Sequence, residues 1–164
     1  IVMLLEIKGS TKKVRKLVEI AAWNYAERLM GKRLMKTLYI KIDLTKTLLK
    51  KDGIEGACIW DTWDDLKKTP RDFHIELDTT INLRDILINL AHEMVHVKQY
   101  SKGELIDMSR SGPTKWQNVP VNRQTNYWDQ PWEIEAHGKE LGLFIRWAED
   151  SELSRQSWTQ EELK

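Results

Sequence analysis

The chain has 164 residues, of which 41% are hydrophobic and 31% charged, so it fits one folded domain of ordinary size and is not disordered throughout. No apolar run in the sequence approaches the roughly 20 residues that a membrane helix requires. Cys58 is the only cysteine, which excludes an intramolecular disulfide and a thiolate zinc cluster. A reducing compartment, the cytoplasm, is the expected location.

The net charge of +1 conceals an uneven distribution. Residues 1–51 hold 13 Lys or Arg and 4 Asp or Glu, whereas residues 52–164 hold 13 and 21. A basic first third can attract an acidic partner such as nucleic acid. It can equally be a solvated helix face opposite an acidic lobe of the same fold.

Hydrophobic periodicity predicts one helix and three strands in the first half of the chain. The helix covers residues 11–30, and Gly31 predicts its end. Alternating apolar residues predict strands over residues 38–42 and 73–77, and residues 57–60, after a turn at Asp52-Gly53, are predicted to form a short strand between them. Residues 61–71, which include Trp63 and Pro70, are predicted to form a surface loop.

The most regular helix of the sequence begins after Asn82, which with Asp85 resembles a capping box. One face of this helix is apolar, and the other carries Asp85, Asn89, His92 and His96. Residues 101–130 are predicted to be a long connection with little regular structure. Pro131 predicts the first turn of a last helix that reaches about residue 150.

The segment His92-Glu93-Met94-Val95-His96 is an H-E-x-x-H motif. On a helix, this spacing puts both imidazoles on one face, where they can bind one metal ion. Glu93 lies beside that face, placed to accept a proton from water rather than to bind the metal. Two neutral imidazoles with a carboxylate suit Zn²⁺. The alternative is a surface helix with two solvated histidines, but the apolar neighbours predict burial, where unpaired polar groups are costly.

A third ligand must come from elsewhere in the chain. The longer motif with a third histidine fails, because Gln99 and Lys102 stand where it requires glycine and histidine. The remaining common solution is a glutamate on a later helix. The candidates are Glu133, Glu135 and Glu140.

Helical geometry favours Glu133 among these candidates. At about 100° per residue, Glu133 shares a face with Ala136 and Glu140, whereas Glu135 points away. Glu135 and Lys139 are predicted to form an exposed ion pair. Glu133 is therefore the expected ligand, with Glu135 and Glu140 as alternatives.

The order of helix, strands, H-E-x-x-H helix and glutamate helix resembles the small gluzincin-type zinc metallopeptidases, among them SprT-like and phage-encoded members. The resemblance is close for residues 73–147 and is limited to element order before them. It implies an α+β fold, a zincin-like minimal gluzincin domain over residues 1–150. This domain would have a small mixed sheet, an N-terminal helix, the H-E-x-x-H helix and the glutamate helix. Residues 151–164 would be a C-terminal tail or short helix, and the source would be a phage or a bacterium, with virion association as an alternative location.

One position departs from the family pattern. In thermolysin-like members, the ligand glutamate is followed four residues later by an aspartate that supports a zinc-bound histidine. Here Ala136 keeps the register, but His137 replaces that aspartate. His137 can orient a ligand, contact substrate or stabilise an oxyanion, which makes it a candidate catalytic residue beside Glu93. Tyr127 and Arg123 are other candidate oxyanion donors, and each can equally be an ordinary surface or packing residue.

The reaction that the resemblance implies is hydrolysis of a peptide bond by a zinc endopeptidase, in which Glu93 passes a proton from water to the leaving amine. The peptide or protein substrate is expected to add a strand at the sheet edge, which residues 73–77 would form. One alternative function is a non-catalytic, zinc-stabilised interaction protein, such as a phage structural or nucleic-acid-associated component. Another is a nucleic-acid binder built on residues 8–51.

The chain has eight tryptophans. Three of them bracket the long connection and either wall the cleft or pin this loop to the core: Trp116, Trp128 and Trp132. A second group either forms a lid or ends a strand: Trp60 and Trp63 with Asp61, Asp64 and Asp65. Cys58 is predicted to be a buried small hydrophobe.

Overall fold

The structure, a computed structural model, describes residues 2–60, 69–107 and 112–160. These residues form the mixed α+β fold that the sequence predicts. Its strands and helices in chain order are β1 (Leu4–Lys8), α1 (Lys12–Met35), β2 (Tyr39–Thr45), α2 (Leu48–Asp52), β3 (Gly56–Trp60), β4 (Asp72–Asp78), α3 (Leu83–Ser101), β5 (Leu105–Ile106), β6 (Lys115–Trp116), β7 (Val119–Pro120) and α4 (Pro131–Asp150). Two short 3-10 helices cover Tyr127–Asp129 and Ser157–Thr159.

Four strands form the main sheet in the order β1-β2-β4-β3. β1, β2 and β4 run parallel, and β3 runs antiparallel to β4, with Gly56 opposite Leu77 and Trp60 opposite Phe73. The three predicted strands are thus confirmed. The prediction that residues 73–77 form the sheet edge is wrong, because β2 and β3 pair with the two sides of β4. Within the described residues, β1 and β3 are the two edge strands of the main sheet.

Alternating residues of β2 and β4 build the core beneath the helices. Their buried members are at most 1% exposed: Ile40, Ile42, Phe73, Ile75 and Leu77. They belong to one hydrophobic cluster with residues of α1, α3 and α4. The fully buried Tyr25 of α1 donates its hydroxyl to the Leu87 carbonyl of α3, 3.0 Å away. This bond satisfies a polar group inside the core and ties the two helices together.

The ends of α1 follow the sequence signals with one difference. Thr11 caps the helix by accepting a hydrogen bond from the Val14 amide. At Gly31 the backbone turns to a left-handed φ of 76°, but a further helical turn continues to Met35. The helix is interrupted at Gly31, where the sequence predicts its end, but it resumes for one more turn, so the predicted end is one turn short.

Two regions hold strands that the sequence did not predict, and a third lies mostly outside the described residues. β1 was not predicted, and the long connection contains a three-stranded sheet of two-residue strands, β5-β6-β7. Most of the predicted surface loop lies outside the described residues, with Asp61, Trp63, Asp64 and Asp65. Cys58 is half-buried in β3.

Of the helices in the described ranges, none has the length and apolar character to cross a membrane.

The segment after α4 folds back onto the helices. The indole ring of Trp158 lies 6.4 Å from that of Trp147, measured between ring centroids. Arg84 of α3 donates a hydrogen bond to the Thr159 carbonyl at 3.3 Å. The described part of this segment, residues 151–160, therefore packs against α3 and α4.

Candidate metal centre

Helix α3 presents the H-E-x-x-H motif. Its N-cap is Asn82, which accepts a hydrogen bond from the Asp85 amide at 2.8 Å, as the sequence predicts. His92, Glu93 and His96 lie in the second half of the helix and are each at most 8% exposed. The motif is thus held on a buried helix, away from bulk water.

Helix α4 presents the candidate third ligand. Pro131 occupies its first turn, and Glu133 follows in the same turn, where the partial positive charge of a helix N-terminus favours a carboxylate. The 3-10 helix just before α4 is capped by Asn126, whose side chain accepts from the Trp128 amide. This turn brings Tyr127 next to Glu133.

Three side chains converge where α3 meets α4. The His92 Nε2 lies 3.1 Å from Glu133 Oε2, and the His96 Nε2 lies 3.3 Å from Glu133 Oε1. The two Nε2 atoms are 3.2 Å apart. Ligands about 2.0–2.1 Å from a tetrahedral zinc ion lie about 3.3 Å from one another. The three donor atoms therefore have the mutual spacing of a zinc site.

The outer nitrogens of both imidazoles are already engaged. His92 Nδ1 donates to Glu140 Oε2 at 2.8 Å, and His96 Nδ1 donates to Gln99 Oε1 at 2.8 Å. The protons on Nδ1 leave the Nε2 lone pairs of both rings facing each other and the Glu133 carboxylate. With neutral imidazoles, three electron pairs meet in this buried space and attract a cation, and their arrangement is compatible with Zn²⁺ held by His92, His96 and Glu133.

The pKa values follow from the same charges. Burial disfavours the charged imidazole of His92, but hydrogen bonds to Glu133 and Glu140 outweigh it and raise the pKa to about 10. Burial likewise opposes protonation of His96, and Glu133 raises its pKa overall. The pKa of Glu133 is held well below its usual range, because bonds from both imidazoles outweigh burial. Without a metal, protons supply the positive charge that this site demands.

Glu93 lies beside the three donors. Its carboxylate is 7% exposed, and burial raises its pKa above the ordinary glutamate value. The edge strand β3 passes close to it, since a Cβ built on Gly56 would lie 3.1 Å from Glu93 Oε1. Burial also raises the pKa of the neighbouring Cys58 thiol. Glu93 thus has the raised proton affinity of a general base.

His137 belongs to the same hydrogen-bonded group. Its Nδ1 lies 3.2 Å from Glu140 Oε1, and its Nε2 lies 2.9 Å from the Tyr127 hydroxyl. That hydroxyl also donates to Glu133 Oε2 at 2.9 Å. Arg123, by contrast, donates to the Gly112 carbonyl at 2.6 Å. Of the three candidate oxyanion donors, the structure brings Tyr127 and His137 to the site.

Glu140, an alternative ligand on α4, lies on the outer side of His92. It does not replace Glu133 as the residue that contacts both imidazoles; it binds the far nitrogen of His92. A second group of possible metal donors consists of His92, His137 and Glu140. It shares His92, whose Nδ1 proton is already bonded to Glu140. Glu140 is therefore an orienting partner of His92.

The prediction that Glu135 forms an exposed pair with Lys139 is wrong in part. The two groups are 3.4 Å apart, but Glu135 also accepts bonds from Lys98 Nζ at 2.9 and 3.0 Å. Lys98 is 6% exposed and also pairs with Glu104. The interface of α3 and α4 is wide enough to cover the side of α4 that was predicted to face solvent.

The tryptophans near the long connection divide between the two predicted roles. Trp116 and Trp132 lie 6.5 Å apart, which pins the small sheet to the start of α4. Trp128 is 67% exposed, and its ring lies 4.9 Å from that of His137. Trp60 stacks on Tyr100 at 4.2 Å. Trp128 is thus the tryptophan that borders the candidate site.

Sequence reasoning missed Gln99, which it used only to exclude a longer motif. Gln99 is three residues after His96, a spacing that lets two helical side chains meet, so the signal was present. Its significance depends on α4, which supplies its other partners.

No protein-family model, no curated protein and no solved structure matches this chain.

Proposed function

We propose that the protein is a zinc-dependent endopeptidase with a zincin-like fold of the gluzincin type, similar to SprT-like and phage-encoded metallopeptidases. One observation carries the proposal: His92, His96 and Glu133 direct three donor atoms at one buried point, 3.1 to 3.3 Å from one another. Glu93 beside them argues against a purely structural metal, because a structural site has no need of a base.

In this proposal, Zn²⁺ supplies a Lewis acid for the scissile carbonyl and lowers the pKa of water at the site. Glu93 takes the proton of the attacking water and delivers it to the nitrogen of the leaving amine. Its raised pKa suits both steps, since a very weak base would not hold the proton between them.

Tyr127 is the proposed donor to the oxyanion that develops on the scissile carbonyl. Burial and the bond to Glu133 raise the pKa of its phenol well above the ordinary value, so the phenol stays protonated. Its one O–H, which donates to Glu133 Oε2 in the structure, would turn to the oxyanion as the charge develops. His137 acts as the positioning partner of Tyr127 through the 2.9 Å contact at its Nε2. Glu140 and His92 anchor the other side of His137.

The proposed substrate is a peptide that adds to the outer side of β3, where no other strand of the described residues lies. β3 is an edge strand of the main sheet, and its first residue, Gly56, lies against Glu93. An extended peptide paired with β3 would pass in front of the candidate base. This placement replaces the wrong prediction that residues 73–77 form the edge.

The decisive variants are Glu93→Gln and Glu133→Ala. Glu93→Gln is expected to keep one zinc per chain and to lose activity on unfolded casein by about 100-fold or more, the usual contribution of a general base. Glu133→Ala is expected to lose the zinc as well. Glu76→Gln, on the opposite face of β4 from buried Leu77, is the control and should match the parent protein. Metal content by mass spectrometry and casein cleavage are the two measurements.

A different outcome would favour the alternative of a non-catalytic, zinc-stabilised protein. If Glu93→Gln changed neither zinc content nor any hydrolysis above background, the enzyme proposal would fail. Zinc binding without cleavage of casein or of a peptide library would point the same way.

A second candidate function is nucleic-acid binding, favoured by one charge pattern. Residues 8–18 hold five Lys or Arg and residues 44–51 hold three, with no Asp or Glu in either segment. Both segments lie at the same end of parallel strands β1 and β2, since Lys8 pairs in register with Asp43. If this end binds DNA, affinity should fall steeply as salt rises. Weak binding that is insensitive to salt would reject this function.

A further inference from the structure

Gln99 joins the two helices that carry the candidate ligands. It is fully buried on α3, at 0% exposure. Its Oε1 lies 2.8 Å from His96 Nδ1, and its Nε2 lies 2.9 Å from the Trp132 carbonyl of α4. The same Nε2 lies 3.0 Å from Glu135 Oε1. All the polar atoms of this side chain are therefore used, on both sides of the helix interface.

These partners determine which way the amide points. A backbone carbonyl and a carboxylate both accept hydrogen bonds, so the NH₂ group of Gln99 must face Trp132 and Glu135. The amide oxygen then faces His96, and it can only accept. His96 must therefore carry a proton on Nδ1, so that in its neutral form the lone pair of Nε2 faces Glu133 and His92.

A buried ion pair holds the partner of Gln99 in place. Glu135 accepts from Lys98 Nζ with both oxygens, and Lys98 also pairs with Glu104 at 2.9 Å. Because Lys98 keeps a positive charge beside it, the Glu135 carboxylate remains an acceptor for the Gln99 amide. A flipped amide would place its oxygen against two acceptors, which is repulsive.

The contact with Trp132 has a second effect. Trp132 immediately precedes Glu133 in the first turn of α4, so the bond from Gln99 holds the backbone next to the third ligand. One side chain thus touches the ring of one ligand and the chain beside another. The two ligand-bearing helices are joined at the level of the metal centre.

We propose that Gln99 is a positioning residue that sets the tautomer of His96 and holds the first turn of α4 so that Glu133 reaches both imidazoles. The inference rests on the proposed zinc site for its purpose, but the Nδ1 proton of His96 and its bond to Gln99 are properties of the chain without metal. Hydrogen bonds to the outer nitrogen of a histidine ligand commonly change metal affinity by about 10- to 100-fold.

The first test uses the parent protein without metal. Long-range ¹H–¹⁵N NMR of the imidazoles should show a slowly exchanging proton on His96 Nδ1, because that proton is buried in a bond to Gln99. A proton found on Nε2 alone, or a rapidly exchanging Nδ1 proton, would overturn the inference. This result does not depend on any variant or on zinc.

The second test compares Gln99→Met with Gln124→Met, an exposed control. Gln99→Met keeps the volume of the side chain and removes its bonds. It should lose the protected His96 proton, weaken Zn²⁺ binding about 10- to 100-fold in a competition assay, and change the visible absorption of the Co²⁺-loaded protein. Gln124→Met should change none of these. Parent-like affinity and absorption in Gln99→Met would refute the positioning role.

The two proposals fail in distinguishable ways. If the parent protein bound no Zn²⁺, the peptidase proposal would fall while the His96 proton still decided the role of Gln99. If zinc bound tightly but the Nδ1 proton were missing, the role of Gln99 would fall and the zinc site would stand.

Discussion

At the residue scale, Gly56 leaves the space that the Glu93 carboxylate occupies. A Cβ at this position would lie 3.1 Å from Glu93 Oε1 and 3.4 Å from Glu93 Cγ. These distances are shorter than ordinary packing contacts, so an added methyl group must displace the candidate base.

We therefore expect Gly56→Ala to reduce peptide hydrolysis severalfold while zinc content stays at the parent level, because the Glu93 carboxylate must shift by a few tenths of an ångström and a shift of about 1 Å can cost about 100-fold. The matched control is Gly138→Ala on α4, where a built Cβ meets no atom within 4 Å. That control should keep full activity and gain about 0.5–1 kcal/mol of stability. Unchanged hydrolysis in Gly56→Ala would show that Glu93 is not confined as described.

The residues of the site differ in how far the sequence predicts them. His92, Glu93 and His96 follow from the motif spacing, and Glu133 follows from helical faces on α4. The partners of Glu135 could not be derived, because Lys98 and Gln99 reach it only once α3 packs against α4. Side chains at a helix–helix interface depend on the crossing of the two helices, which a single-helix projection does not contain.

At the element scale, α1 contains a break that only glycine adopts without strain. Gly31 has a φ of 76° inside a helix that continues to Met35. This conformation lies in the left-handed region, where a side chain is unfavourable.

We expect Gly31→Ala to lower the free energy of unfolding by about 1–2 kcal/mol, although a built Cβ has no close neighbours there. Gly142→Ala, in the regular part of α4, should instead raise it by about 0.5–1 kcal/mol. Urea denaturation followed by circular dichroism measures both values. Stabilisation by Gly31→Ala would contradict the left-handed break.

The strands show why element order is harder to predict than element type. Alternating apolar residues predicted β2 and β4, and a short apolar segment after a turn predicted β3. β1 begins inside a continuous apolar run, residues 1–5, and this run has no period of two. Without β1, and without knowing that β3 pairs antiparallel with β4, the sequence placed the wrong strand at the edge.

At the scale of the whole molecule, the candidate centre connects parts of the chain that lie far apart. α3 and α4 are separated by 29 residues, yet their ligands meet within 3.3 Å. A metal ion bound there would link the two helices, and this link exists only in the folded state. Ligand binding to the folded state alone raises stability by mass action.

Zinc should accordingly stabilise the folded protein. At a free zinc concentration about 100 times the Kd, linkage predicts that the free energy of unfolding rises by about 2.7 kcal/mol. This corresponds to an increase of roughly 5–10 °C in Tm for a chain of this size. Adding EDTA should reverse the shift, and Glu133→Ala should show none of it. An equal zinc-dependent shift in Glu133→Ala would mean that the ion binds elsewhere.

The central claim is that one zinc ion lies among His92 Nε2, His96 Nε2 and Glu133. A crystal of the zinc-loaded protein, measured on both sides of the zinc absorption edge, tests this directly. We predict one anomalous peak about 2.0–2.2 Å from each of these three ligands, with Glu93 next to it and not bound to it. A peak on other residues, or no peak between α3 and α4 in zinc-loaded crystals, would contradict the account.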